Sequence, residues 1–292
     1  MTAEGTPGTP GRRSPASVTS AVPRSIDQIL ILARYQLRDY IRSRRFMILF
    51  ALITVIGGII TAVVGYYRPA FLDSAASFYA TIWGSGVTFV IVLAGIFFGG
   101  DAIAGEFQNR TGYFLMGLPI RRITVYAGKY IAALVASFAI LLYFAAILLA
   151  NGIFYFGGGA FPWQFGASFG LASVYILALL GATFLFSSMF KTSTYATLLT
   201  AVLFLFGFTI LEALVSGLAG SEPWMIISYS DGIIANIFVD PYPPHVVTTQ
   251  GPGGNSFTQY NPTIGTGVGI MVAYFVLSGL GGLFFFERKE FS

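Results

Sequence analysis

The chain has 292 residues, of which 55% are hydrophobic, 16% aromatic and only 10% charged, and its mean hydropathy is +0.76. A soluble domain carries about 25% charged residues, so sixteen basic and twelve acidic side chains are too few to solvate a surface of this size. With no charge at all between Tyr130 and Phe190, a run long enough for two crossings of about 20 residues each, the chain reads as an all-α polytopic membrane protein.

Residues 1–24, rich in Thr, Pro, Gly, Ser and Ala with Arg12 and Arg13, have the composition of a disordered tail. Over 25–45, Ile26, Ile29, Leu30, Ala33, Leu37, Tyr40 and Ile41 recur at helical spacing, with Asp27, Arg34, Arg38 and Arg42 on the other side. This predicts an amphipathic helix lying in the headgroup layer of the bilayer, too polar to span it. Ser25 is the expected N-cap.

The six-helix transmembrane domain is expected over 46–290. Its apolar spans fall at about 46–67, 78–100, 130–156, 169–190, 195–218 and 263–286, each long enough to cross a hydrocarbon core of about 30 Å. Fifteen of the sixteen basic residues fall in the N-terminal arm, the segment 101–129, the joint at Lys191 and the C-terminal end; Arg68 alone falls opposite. That asymmetry predicts six spans with both termini cytoplasmic. An external segment, 219–262, holds Glu222, Asp231 and Asp240 without Lys or Arg. Its first half, 223–239, is apolar enough to fold back against the bundle as short helices. Its second half, rich in Pro, Gly, Thr and Asn, is expected to be irregular. The glycines of the sixth span (Gly265, Gly267, Gly269, Gly279, Gly281 and Gly282) are read as sites of close helix approach.

Several functions are excluded or disfavoured. Without cysteine there is no disulfide, thiolate metal site or thiol nucleophile, and a single histidine, His245, makes no histidine metal site. Net charge +4 reads as the cytoplasmic bias of a membrane chain rather than as a nucleic-acid surface. The nearest string to a phosphate loop, Ala127-Gly128-Lys129-Tyr130, lacks the first glycine and the hydroxyl; the chain is expected to carry no ATPase, no catalytic residue, no metal and no cofactor of its own. Gly84-Ser85-Gly86 has no histidine base at membrane depth.

Two features remain. Phe107, Phe114, Leu115, Met116 and Leu118 are apolar residues bracketed by charge between two spans. They form either a knob that docks into a groove on a partner or a loop folded on the membrane surface; Pro119 breaks the helix ahead of the third span. Glu212 lies inside the fifth span, where a charge costs about 2.5–3.5 kcal/mol at mid-membrane and marks a functional candidate. It reads as a substrate contact or proton-linked switch, or as a structural partner for Arg68 or an ordinary interfacial position.

The segment from Glu106 to Lys129 resembles the ABC-2 type transporter permease family: Glu106, Thr111, Leu115-Met116, Pro119, Arg121 and Gly128-Lys129 match its loose pattern. The six spans, the arm ending at Phe46 and the terminal 286–291 agree with it. Gly112, where the family often has an aliphatic residue, and the polar insert 241–262 depart from it. The resemblance implies a permease subunit, an exporter in the plasma membrane, paired with itself or a related permease. Two P-loop ATP-binding subunits, which hold the ATP and Mg, would dock on a coupling segment comprising Glu106, Phe107, Arg110, Thr111, Phe114, Leu115, Pro119 and Arg121. The alternatives are a stand-alone secondary carrier or channel, and a non-transporting membrane scaffold.

Overall fold

A computed structural model describes residues 24–67, 74–109, 120–217, 220–250 and 256–289. Among them, six helices are long and apolar enough to cross a bilayer, as the hydropathy requires. The tail 1–23 lies outside the described residues.

Helix α1 (Ser25–Arg42) is amphipathic. Ser25 is its first helical residue rather than its cap, and Arg24 at the cap position makes no side-chain cap bond. Ser43 ends α1 and starts α2 (Arg44–Tyr67): its hydroxyl donates to the Tyr40 carbonyl at 2.6 Å and accepts the Phe46 amide at 3.2 Å, satisfying one exposed group of each helix. Next come α3 (Ala75–Phe98), which contains a π turn at Tyr79–Trp83, and the one-turn α4 (Ala104–Gln108). The third span, α5 (Arg122–Phe156), has 35 residues. At 1.5 Å per residue it is about 52 Å long, well beyond a core of about 30 Å. It begins at Arg122 rather than near Tyr130, because backbone hydrogen bonding continues past the membrane boundary where α1 packs against it.

Helices α6 (Gln164–Met189) and α7 (Ser193–Gly217, with a π turn at Leu203–Gly207) form the hairpin across Lys191. The external segment folds back as α8 (Ile227–Asn236), whose Ile227, Ile233 and Ile234 are fully buried. The segment expected to be irregular instead pairs β1 (Val246–Gln250) with β2 (Ser256–Tyr260), antiparallel, in register from Val246↔Tyr260 to Gln250↔Ser256. Val246, Val247, Thr248 and Thr249 are four β-branched residues in a row, which favours a strand. The last span is α9 (Ile264–Arg288).

Lipid tails are as apolar as leucine, so close packing and hydrogen bonds, not the hydrophobic effect, hold such helices together. Over the central windows of α3, α5 and α6, 56%, 50% and 56% of residues are buried, against 22%, 11% and 17% for α2, α7 and α9. The first three are the core and the others its rim. Trp83, fully buried, stacks on Phe144 at 5.9 Å. Its indole N–H donates to Ser168 Oγ at 2.9 Å, which donates to the Ile234 carbonyl at 2.5 Å. That chain ties α3, α6 and α8 together. Among the described residues, the basic side chains gather on the face from which residues 24 and 289 emerge; α8 and the β1–β2 pair mark the opposite, acidic face.

Candidate coupling site

On the basic face, α3 ends at Phe98 and the chain turns into α4. The amides of Ile103 and Ala104 both donate to Ser187 Oγ of α6, each at 3.0 Å, so the start of α4 is fixed to the core. Asp101 pairs with Arg45 at the start of α2 and accepts Ser193 Oγ at 3.4 Å. Gln108 accepts the Ser193 amide at 2.7 Å. The connections from α3 to α4 and from α6 to α7 are therefore each held by a side chain from another element.

Glu106 is the centre of this arrangement. Its carboxylate takes a hydrogen bond from Lys129 Nζ at 2.6 Å, and the same ammonium donates to Gln36 Oε1 of α1 at 2.9 Å. The Lys129 side chain is only 7% exposed and that of Glu106 18%, so the charge-assisted pair is largely shielded from water. Gly128 makes the geometry possible: a Cβ there would lie 2.8 Å from Leu32 Cβ and 3.2 Å from the Ile29 carbonyl. The glycine lets α1 close on α5, and the lysine beside it bridges α1 to α4. Tyr40 completes the contact by donating to the Phe98 carbonyl at 2.9 Å; burial pushes its hydroxyl above the ordinary tyrosine range, so it stays a donor. A polar cleft of about 220 Å³ lies among Gln36, Asp39, Asp101, Glu106 and Lys129.

Phe107 also turns inward. It packs against the core, edge-on to Phe286 at 6.4 Å, with Lys289 Nζ 4.1 Å over its ring. Lys289 donates to the carbonyls of Ser188 and Phe190, at 3.0 and 2.5 Å, at the end of α6. Burial, then the nearby charge of Lys191, push its ammonium down to about 8. Arg122 caps α9 by donating to the carbonyls of Phe286, Glu287 and Lys289 at 3.2, 2.5 and 3.0 Å, the cation-at-C-terminus arrangement that the helix dipole favours.

Of the residues singled out in the sequence, Glu106 and Phe107 are thus brought together on the inner side of α4. Arg110, Thr111, Phe114, Leu115 and Pro119 lie outside the described residues. Arg121 is exposed at the start of α5, and Arg34, Arg38 and Arg42 are exposed along α1. Gln36, Asp101 and Ser187 carry no functional signal in the sequence; Tyr40 stands out only on the apolar stripe of α1, and Lys289 only as a basic residue of the C-terminal end. Lys129 has a signal, as the last charge before the uncharged run from Tyr130 to Phe190.

On the acidic face, Glu212 accepts the Ser228 hydroxyl of α8 at 2.5 Å. One turn along α8, Asp231 hydrogen-bonds Thr88 of α3. Glu212 therefore tethers the rim helix α7 to the folded-back segment; Arg68 lies outside the described residues. Asp231 was read only as an external acid, although its place in the apolar run 226–238 was a signal of burial. In α9, Gly267, Gly281 and Gly282 do have atoms within 3.4 Å of an added Cβ, whereas Gly265, Gly269 and Gly279 meet nothing within 4 Å. Close approach explains half of these glycines.

A family model described as ABC-2 family transporter protein matches residues 30–291. No curated protein matches the sequence.

Proposed function

Because the chain belongs to the ABC-2 family of transporter proteins and is a multi-pass membrane permease subunit of an ABC transporter, we propose that its basic face is the cytoplasmic docking face for separate ATP-binding subunits. Two copies of the chain, or the chain and a related permease, form the pathway, and two ATP-binding subunits grip the segment that follows α4. The transporter works as an exporter in the plasma membrane, the direction and place that the family resemblance carries. ATP and Mg belong to the ATP-binding subunits.

One observation supports this reading above the others: α4 is joined to α1 and α5 through the Lys129 ammonium, with Glu106 and Gln36 on either side of it. A push on the segment after α4 is thereby passed to the arm in the headgroup layer and to the longest helix of the core at once. Glu106 and Phe107 act as the anchor of the segment, and the grip falls to the residues beyond Asn109. Such a transition requires that the docked subunits favour one arrangement of the face over the other.

The experiment is copurification of the chain with its P-loop ATPase, followed by reconstitution in liposomes. Stimulation of ATP hydrolysis by the permease is expected, and Glu106→Lys with Phe107→Ala is expected to leave the complex assembled while abolishing that stimulation. Stimulation unchanged by the double variant overturns the anchor role; failure of any P-loop ATPase to bind overturns the docking face.

A further inference from the structure

Along the outer half of α9 runs a groove of about 810 Å³, bounded on its other side by the segment after α7. Its polar end holds Glu222, His245, Thr263 and Thr266; its apolar wall is Trp224, Met225, Ala273, Tyr274 and Leu277. From Thr263 to Leu277 the rise of a helix amounts to about 21 Å. The polar end therefore sits at the water boundary of the acidic face, and the apolar end reaches toward the bilayer centre. Gly269 forms part of its wall, with nothing within 4 Å of an added Cβ. The groove is open space along the exposed side of a membrane span, not a helix-packing seam: Leu277 is 71% and Trp224 56% exposed.

The polar end presents both signs of interaction side by side. Glu222 Oε1 accepts the Tyr229 hydroxyl at 2.7 Å, and Oε2 lies 3.3 Å from His245 Nε2. His245 Nδ1 faces the Asn261 carbonyl at 2.8 Å and so must carry a hydrogen. The contact between Nε2 and Glu222 is then an attraction only when the imidazole holds its second proton as well. Each oxygen of the Glu222 carboxylate has a further lone pair, so beside Tyr229 and His245 it can still accept a cationic donor at the groove mouth. Beside it stand the hydroxyls of Thr263 and Thr266, 2.8 Å apart; Thr263 Oγ accepts the Thr266 amide at 3.2 Å, and the other first-turn amides leave the positive end of the α9 dipole, which suits an anion. An acid and an anion-favouring helix end, at the water boundary of an apolar groove, match a zwitterionic head on an apolar chain.

We infer that this groove is a binding site for an amine-headed phospholipid of the surrounding leaflet, its ammonium on Glu222, its phosphate at the Thr263–Thr266 end and its acyl chain along Gly269, Ala273 and Leu277. The site stands apart from the coupling reading, since lipid retention is measured without ATP or any partner, and either can fail alone.

The test uses the full chain in nanodiscs of phosphatidylethanolamine and phosphatidylglycerol, equimolar and chain-matched, with retained lipid read by native mass spectrometry. Phosphatidylethanolamine is expected to be enriched over the bulk. Glu222→Gln is expected to reduce that enrichment about tenfold, the size of one lost charge-assisted hydrogen bond. Gly269→Leu, which fills the groove, is expected to remove the retained lipid of either type. Brominated chains report the position independently: phosphatidylethanolamine so labelled is expected to quench the part of the fluorescence that Trp224→Phe abolishes. Equal retention of the two lipids, enrichment unchanged in Glu222→Gln, or quenching that does not involve Trp224 overturns the inference. So does cross-linking of Gly269→Cys between two copies, which would mean that a second chain covers the groove.

Discussion

A lysine ammonium shielded from water is tolerated only with a partner, and Lys129 has two on separate elements. Removing one member of a buried ion pair costs about 3–5 kcal/mol, because the other charge is left desolvated, while replacing both is far milder. Lys129→Met is therefore expected to lower the thermal stability of the purified chain sharply, and Glu106→Gln in the same chain to recover most of the loss. Equal stability of the single and double variants would show that the pair is not coupled. Lys289 is the opposite case, a lysine whose charge is held at a cost. Its folded pKa of about 8 lies below its ordinary value of 10.5, so between these values the unfolded state binds more protons and stability rises with pH. The gain is small, since Lys289 is partly exposed and solvent screens it. Unfolding temperature is expected to rise between pH 8 and pH 10 relative to Lys289→Met, which removes the titration; identical profiles would place the ammonium in water.

At the scale of elements, the contact between α1 and α5 depends on one missing side chain. A Cβ at Gly128 would stand 2.8 Å from Leu32 Cβ and 3.2 Å from the Ile29 carbonyl, and the backbone atom cannot swing aside as a flexible side chain does. Overpacking of this kind costs about 1–3 kcal/mol. Gly128→Val is expected to detach α1, seen as faster amide exchange over residues 28–40, whereas Gly265→Val, with nothing within 4 Å, is expected to be silent. The same junction shows where sequence reading stops. Spans are legible because some twenty apolar residues in a row have few other fates. The first two turns of α5 begin and end on a charge, Arg122 and Lys129, and their tertiary partner α1 explains why the helix includes them. Spacing alone does not show that Glu106 reaches Lys129, 23 positions away, or that Phe107 packs under the Lys289 ammonium. The β-branched run Val246–Thr249 favours a strand, but the surrounding Pro and Gly lead to the expectation of an irregular segment, which the β1–β2 pair corrects.

At the scale of the molecule, the distribution of charge makes a statement about sides that can be checked directly. Basic residues near span ends are retained on the cytoplasmic side, and the twelve basic residues among the described ones belong to one face. An even number of spans requires the connections to alternate: Thr192, between α6 and α7, belongs to the basic face, and Gly159 and Ser221 to the acidic one. All three are exposed. The chain contains no cysteine, so each introduced thiol is its own reporter, with no background to remove. In intact cells, a membrane-impermeant maleimide is expected to modify Gly159→Cys and Ser221→Cys, and to reach Thr192→Cys only after permeabilisation. The reverse pattern would invert the molecule and move the docking face outside, where no ATP-binding subunit could reach it. Modification of Thr192→Cys and Ser221→Cys from the same side would mean that α7 does not cross. Glu212 would then need no tether to α8, because a helix that never enters the hydrocarbon core has no charge to shelter there.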